Sequence, residues 1–179
     1  MRRELELKFR ITSENDFINM LEEKGIVLSS PIMQDDIIFF RKDRGFSDLD
    51  KGEPVIRIRK QQDKIVTTLK KYKDGIADRV EVECEILDGE MFHKYLELLD
   101  LVPVVTVKKK RRKGNYEDAS INVDQVEGLG LFVEVEVISD DYMAKDDMKK
   151  LNRIVNELGL SKNNIVSMPY DEMLFRKGE

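Results

Sequence analysis

The stretch Glu4-Leu5-Glu6-Leu7-Lys8-Phe9 alternates a charged and an apolar side chain at every position. On a strand, successive side chains point to opposite faces, so Glu4, Glu6 and Lys8 share one face and Leu5, Leu7 and Phe9 the other. The same split returns in Val55-Ile56-Arg57-Ile58-Arg59. It is strictest in Arg79-Val80-Glu81-Val82-Glu83-Cys84-Glu85-Ile86 and appears again in Leu131-Phe132-Val133-Glu134-Val135-Glu136-Val137. A chain built this way must house many charges on one side of a sheet.

Charged residues make up 37% of the 179 positions, against roughly 25% in ordinary soluble proteins. The 31 basic and 36 acidic side chains leave a net charge of −5, so the whole molecule does not attract a polyanion and any anion site is local. The length fits one domain, read as residues 1–179, with a real core. The single cysteine excludes an intramolecular disulfide and the start of the chain shows no signal-peptide pattern, so a cytoplasmic location is expected. No apolar run is long enough to suggest a membrane span. His93, the only histidine, reads as solvated, which removes histidine-rich zinc sites and most serine–histidine–acid triads. Chemistry here must lean on carboxylates, lysine, arginine and hard metals.

Turn and cap signals divide the chain into strands and helices. Ser13 caps a short helix bearing Phe17, Ile18 and Leu21 and ending at Gly25. An extended run through Gln34-Asp35-Asp36-Ile37-Ile38-Phe39-Phe40 follows Pro31. The polar segment from Arg41 to Pro54 reads as a surface loop, with a lid over the site as the alternative. Gln62-Asp63 and Lys73-Asp74-Gly75 are turns flanking Ile65–Lys70. Cys84 falls on the apolar face of its strand and reads as a core residue. Asp88 caps a helix whose stripe is Met91, Phe92, Tyr95, Leu96 and Leu99. Strands are expected from Val102 to about Lys113, turning at Gly114-Asn115, and from Ala119 to Val126. Met148, Leu151, Ile154, Val155 and Leu158 mark a further helix, and Pro169 precedes a last one through Leu174.

An open sheet with one wet, charged face would satisfy this pattern. Three features favour an enclosed site instead. The charges are largely sorted by strand: Glu4, Glu6, Glu81, Glu83, Glu85, Glu134 and Glu136 are acidic, whereas Arg57, Arg59, Lys109 and Arg111 are basic. Arginine, whose planar fork suits phosphate oxygens, outlines the basic strands. Three amphipathic helices need a sheet face to cover, and the apolar faces supply it. With helices outside, the charged faces point inward, and closing the sheet makes them the lining of a tunnel that holds water, metal ions and an anionic ligand. The expected fold is α+β, a closed antiparallel eight-stranded β-barrel with helices packed outside. In the basic run Lys108–Lys113, Val105 and Val107 share parity with Lys109 and Arg111, so alternation alone does not pick the inward set. As a nucleic-acid patch the run is disfavoured, because alternation sends about half of it inward.

The ordered series Glu4-x-Glu6-x-Lys8, Gln34-x-Asp36, Arg57-x-Arg59, Thr68-Leu69-Lys70, Arg79-x-Glu81-x-Glu83, Lys109-x-Arg111 and Asp124-x-Val126-x-Gly128-Leu129-Gly130-x-Phe132-x-Glu134-x-Glu136 resembles the CYTH superfamily of triphosphate tunnel metalloenzymes, and within it the class IV adenylyl cyclase, CyaB-like branch. The resemblance implies a Mg²⁺- or Mn²⁺-dependent enzyme that converts ATP to cyclic AMP and pyrophosphate, with an inorganic or thiamine triphosphatase, or a non-catalytic sensor, as alternatives. It implies Glu4, Glu6 and Lys8 as catalytic residues. Lys8, Arg57, Arg59, Lys70, Lys109 and Arg111 would bind the triphosphate, and Glu4, Glu6, Asp124, Glu134 and Glu136 the metal. Asp36, Glu81 and Glu83 are additional candidates. The implied partners are a nucleoside triphosphate, tripolyphosphate or thiamine triphosphate, with a homodimer allowed and neither nucleic acid nor membrane expected. Two features depart from the pattern: Ile38 stands where the family often has an aromatic residue, and the Arg41–Pro54 loop is long. Both bear on the base or leaving-group end of the substrate.

Overall fold

Every alternating stretch forms a strand in the computed structural model of the chain, which describes residues 3–46, 53–73, 75–139 and 144–178. The strands are β1 (Arg3–Ile11), β2 (Ile32–Arg41), β3 (Val55–Gln61), β4 (Lys64–Lys73), β5 (Gly75–Ile86), β6 (Leu101–Tyr116), β7 (Ala119–Val126) and β8 (Gly130–Ser139). Helices α1 (Glu14–Glu23), α2 (Gly89–Leu98), α3 (Ala144–Glu157) and α4 (Tyr170–Gly178) complete a single α+β domain. Ser13 and Asp88 cap α1 and α2 through their side-chain oxygens. All ladders are antiparallel, and the curled sheet runs β1-β5-β4-β3-β2-β6-β7-β8 before returning to β1.

The closure is uneven. β1 pairs with β8 along its whole length, from Arg3↔Ser139 to Ile11↔Leu131, but with β5 only at Arg3↔Val80, Glu4↔Arg79 and Leu5↔Asp78. Past Leu5, that edge of β1 is covered by the segment leading into α4. Ile165 bridges Phe9, and the Val166 N–H donates to the Lys8 carbonyl oxygen at 2.8 Å. This arrangement satisfies backbone groups that an open edge would leave to solvent.

Three apolar clusters follow from the alternation. Outside the barrel, α1 (Phe17, Leu21) and α3 (Leu151, Ile154, Val155, Leu158) cover Leu5, Phe9, Ile121, Val133 and Val135. Also outside, α2 sets Leu96 and Phe92 against Phe39, Ile58 and Leu101. The third cluster lies on the inward face: Ile38, Phe40, Val55, Val107, Val126 and Phe132 pack against Tyr170, Met173 and Leu174 of α4. The expectation that helices pack outside is therefore corrected for α4, which closes one end of the barrel. Its apolar face finds buried partners there because the inward faces of β2, β3, β6, β7 and β8 are apolar at that end.

Other local expectations are also corrected. Cys84 is exposed, because α2 reaches the outer face of β5 only at Ile86 and among the described residues no helix covers the part around Cys84, where Val82 is 61% exposed. On α2 the buried side runs through Phe92 and Leu96, while Met91, Tyr95 and Leu99 face outward. His93 is not fully solvated; its ring meets Phe39 edge-on at 4.9 Å. Gly114 and Asn115 continue β6, and the chain turns at Glu117-Asp118, with Glu117 at φ 53°. Gly114 is required inside the strand by the crossing of Val27 and Leu28, since a Cβ there would lie 2.7 Å from the Leu28 side chain. The Arg41–Pro54 loop is seen only at its ends: Phe46 packs on Phe40 and Phe175, and Arg44 pairs with Glu53 at 3.6 Å. Its middle, residues 47–52, lies outside the described residues, as does Asp74.

Exposure of Cys84 has a direct chemical consequence. The native protein should react with a thiol-specific disulfide reagent at a rate close to that of the unfolded chain, with one thiol titrated per molecule. A thiol protected until denaturation would place Cys84 in a core.

Candidate functional site

The strand order sorts the inward charges into two walls. β8, β1 and β5 are consecutive and carry Glu134, Glu136, Glu4, Glu6, Glu81 and Glu83. β4, β3, β2 and β6 are also consecutive and carry Lys70, Arg57, Arg59, Lys109, Arg111 and Lys113, with Asp36 among them. All these residues, together with Lys8 on the acidic side, line one cavity of about 1020 Å³. Of the residues expected at the site only Asp124 does not line it. Asp124 is fully buried on β7, behind Arg111 and Lys109. Glu83 sits at the rim, with a side chain 56% exposed.

Cross-strand register makes the ion pairs. Asp36 is opposite Arg59 in the β2–β3 ladder and accepts two hydrogen bonds from its guanidinium, both 2.7 Å. Burial pushes the Asp36 carboxyl upward, but Arg59, with Arg57 and Lys109 behind it, outweighs burial and holds it well below the usual carboxylate range. Arg111 is opposite Asp124 in the β6–β7 ladder; it donates from Nε to Oδ1 at 2.6 Å and from Nη2 to both Asp124 and Glu134. Burial opposes its charge, yet Asp124 and Glu134 raise its pKa well above the ordinary arginine value. Lys109 lies 3.4 Å from Asp124, and burial, reinforced by Arg111, lowers its pKa to about 8. Lys70 pairs with Glu81 at 2.7 Å. Arg57 donates to Thr68 at 2.7 Å, and burial with the neighbouring Arg59 lowers its pKa.

On the acidic wall, Glu6 stands directly opposite Glu136 in the β1–β8 ladder, with Glu4 two residues along and Glu134 opposite Lys8. Like charges directly opposite on one face repel, and hard carboxylate oxygens are the ligands of Mg²⁺ and Mn²⁺. Among the described residues no three such side chains already converge as a metal cluster. The donor chemistry nevertheless fits a divalent cation carried in by a phosphate chain, which would supply the remaining ligands.

The structure also settles the basic run. Lys109, Arg111 and Lys113 point inward, while Lys110 and Arg112 point outward, each 3.3 Å from Glu14 of α1. Val107 is inward as well, because β6 enters the barrel at its apolar, α4-closed end and becomes basic further along. Ile38 belongs to that same end and lines the cavity there. Sequence reasoning missed Lys113, which parity with Lys109 and Arg111 would have identified. It also missed Tyr170 and Asp171, which line the cavity from α4; strand alternation carries no signal for a helix that points inward.

Comparison with known proteins agrees with this geometry. The CYTH domain profile matches residues 2–170. A protein of Methanocaldococcus jannaschii named "Putative adenylate cyclase MJ0240" is 32% identical over 173 residues, covering 95% of this chain and 97% of that protein. The solved structure of PH1819 from Pyrococcus horikoshii superposes with a TM-score of 0.81 at 28% identity, covering 97% of this chain and 99% of the other. A Hippeastrum protein, HpAC1, named a "putative adenylyl cyclase" and described as revealing a dominant triphosphatase activity, shares the fold with a TM-score of 0.63 at 17% identity, over 100% of this chain and 97% of its own. Among the described residues no helix is long and apolar enough to cross a membrane. Matched over almost its whole length by both a family profile and a relative, the chain belongs to the CYTH domain family.

Proposed function

We propose that the protein binds the triphosphate of ATP between the basic and acidic walls, in the presence of Mg²⁺ or Mn²⁺, and converts it to cyclic AMP and pyrophosphate. The observation that carries this reading is the separation of signs around one cavity: a basic half suited to phosphate oxygens faces an acidic half suited to divalent cations. A volume of about 1020 Å³ is at the upper end of small-molecule pockets, roughly 300–1,000 Å³, and accommodates a nucleotide. The relative named as an adenylate cyclase supports the same choice.

In this reading Arg57, Arg59, Lys70, Lys109 and Arg111 bind phosphate oxygens, and Lys8 reaches the triphosphate from the acidic side. Asp36 and Asp124 hold Arg59 and Arg111 in place, so the guanidinium forks are fixed before substrate arrives. Glu4, Glu6, Glu134 and Glu136 would hold the cation, which offsets charge developing on the phosphoryl oxygens. Asp124 joins them only by giving up its bonds to Arg111. Glu81 and Glu83 order Lys70 and Arg57. The ribose 3′-hydroxyl attacks the α-phosphorus, the bond to the bridging oxygen breaks, and pyrophosphate leaves while the hydroxyl proton passes to solvent. Glu4, Glu6 and Lys8 are assigned as catalytic on this basis.

The second reading is hydrolysis of a terminal phosphate, from tripolyphosphate or thiamine triphosphate. It is favoured by the closure of one end by α4, which lets a polyanion enter tail first and leaves its other end at the mouth. Incubation with ATP, tripolyphosphate and thiamine triphosphate in Mg²⁺ or Mn²⁺, followed by separation of products, distinguishes the readings. Cyclic AMP with pyrophosphate is expected, orthophosphate supports the hydrolase, and binding without product leaves a sensor.

Lys8→Ala and Glu6→Ala should each lower turnover by at least about a hundredfold while the thermal melt stays cooperative. Arg112→Ala, on the outer face, should leave turnover near the wild-type value, and its collapse would show that the inward register is wrong. Asp36→Asn should cost about 3–5 kcal/mol in chemical denaturation, because it leaves the buried Arg59 charge without its partner. The native carboxyl of Asp36 is depressed below its ordinary 3.8, so its stabilisation is complete above that value and is lost as pH falls. The acid limb of stability against pH should therefore be shallower in Asp36→Asn than in the wild type, and parallel limbs would refute the assignment.

A further inference from the structure

α4 does more than wall off one end of the cavity. Tyr170, its first residue, is 7% exposed and packs edge-on against Phe132, with ring centroids 5.0 Å apart. The Lys8 ammonium lies over the Tyr170 ring at 4.2 Å from the centroid, and the Lys109 ammonium lies at 5.1 Å. Both distances are within the range over which the negative face of an aromatic ring attracts a cation, about 6 Å. The two lysines come from β1 and β6, which are not neighbours in the barrel, so this ring is a point where the two walls meet. The Tyr170 hydroxyl, by contrast, is buried with no hydrogen-bond partner among the described residues. A buried hydroxyl without a partner is unfavourable, and it directs attention to the ring as the group that the position uses. A second contact comes from the same segment: the Val166 N–H binds the Lys8 carbonyl oxygen. Lys8 is thus held by the C-terminal segment through both its backbone and its side chain.

We propose that Tyr170 is a positioning residue that uses its aromatic face to hold the Lys8 and Lys109 ammonium groups at the closed end of the cavity, aligned to receive the terminal oxygens of a polyphosphate. The inference rests on the anion-site reading above and adds to it a residue outside the strands. Glu134 lies 3.8 Å from the Lys8 ammonium and Asp124 3.4 Å from that of Lys109, and the ring adds an attraction shared by both ammonium groups that brings no further negative charge. A third carboxylate there would cancel more of the positive charge that a phosphate needs, whereas a ring stabilises the ammonium groups without changing the local charge.

The test separates the ring from the hydroxyl and from the fold. Lysine side-chain resonances are recorded in the free protein, and tripolyphosphate binding is measured by calorimetry without metal, for the wild type and for Tyr170→Phe, Tyr170→Leu and a form carrying pentafluorophenylalanine at position 170. Fluorination keeps the shape of the ring but reverses the sign of its face, so it reports on the ring even if the leucine variant fails to fold. In the wild type the ε-methylene protons of Lys8 and Lys109 should be shifted upfield by the ring current. Tyr170→Phe should retain those shifts and restore wild-type affinity, and Tyr170→Leu should lose the shifts. Affinity should fall about tenfold in the leucine and pentafluoro forms, the range of a desolvated cation–π contact. Unshifted lysine protons in the wild type, or a pentafluoro form that binds as tightly as Tyr170→Phe, would overturn the proposal. A wild type that shows the ring-current shifts but binds no tripolyphosphate would overturn the anion-site reading and leave the ring–lysine contact standing.

Discussion

The interaction on which the site depends is the buried guanidinium of Arg111, shared between Asp124 and Glu134. It ties three successive strands, β6, β7 and β8, at the boundary between the basic and acidic walls. Relative to an apolar cluster of similar volume, a buried ion pair contributes little to stability, because desolvation offsets the attraction. Its presence is therefore poorly explained by folding alone. What it does provide is a fixed, permanently charged fork in a cavity. Asp36 and Arg59 repeat the arrangement across β2 and β3. Two arginines, Arg59 on β3 and Arg111 on β6, to either side of β2, are thus aimed by carboxylates that lie behind or beside them.

In the proposed reading, ligand binding must compete with this internal pairing. A phosphate chain entering between the walls offers new oxygen partners to the lysines and arginines, and the glutamates they leave are then available to cations accompanying the phosphates. Each half of the exchange favours the other, since each leaves behind a charge that the other neutralises. The facing pair Glu6 and Glu136 sharpens this coupling, because their mutual repulsion is relieved by a positive ion. Polyanion and divalent cation are therefore expected to strengthen each other's binding.

Much of this was legible in the sequence because a strand has a period of two. Parity alone puts Glu4, Glu6 and Lys8 on one face, and the structure keeps that parity except where the register shifts, at Ile38/Phe39 between β2 and β6 and at Tyr72/Lys73 between β4 and β5. Lys113 was legible by the same rule and was missed. Cys84 and the Met91–Tyr95–Leu99 line were misread for a different reason: an apolar residue on an apolar face is buried only if something covers that face, and coverage is a property of topology. Register across strands, which pairs Asp36 with Arg59 and Arg111 with Asp124, is likewise not carried by alternation. Nor is the inward turn of α4. Its apolar residues mark a helix that must be buried, but not whether it packs on the outside of the barrel or closes its end.

That last distinction explains the two kinds of inward residue on a single strand. β2 changes from Gln34 and Asp36 to Ile38 and Phe40, β3 from Arg59 and Arg57 to Val55, and β6 from Arg111 and Lys109 to Val107. Each strand crosses once from charged to apolar, and the apolar ends gather under α4. Position around the barrel thus sets the sign of a side chain, while position along a strand sets whether it is charged at all. Ile38 then ceases to be an anomaly at the phosphate site: it belongs to the floor, where α4 supplies the aromatic side chain in the form of Tyr170. In the proposed reading this floor confines a polyanion to the charged zone above it.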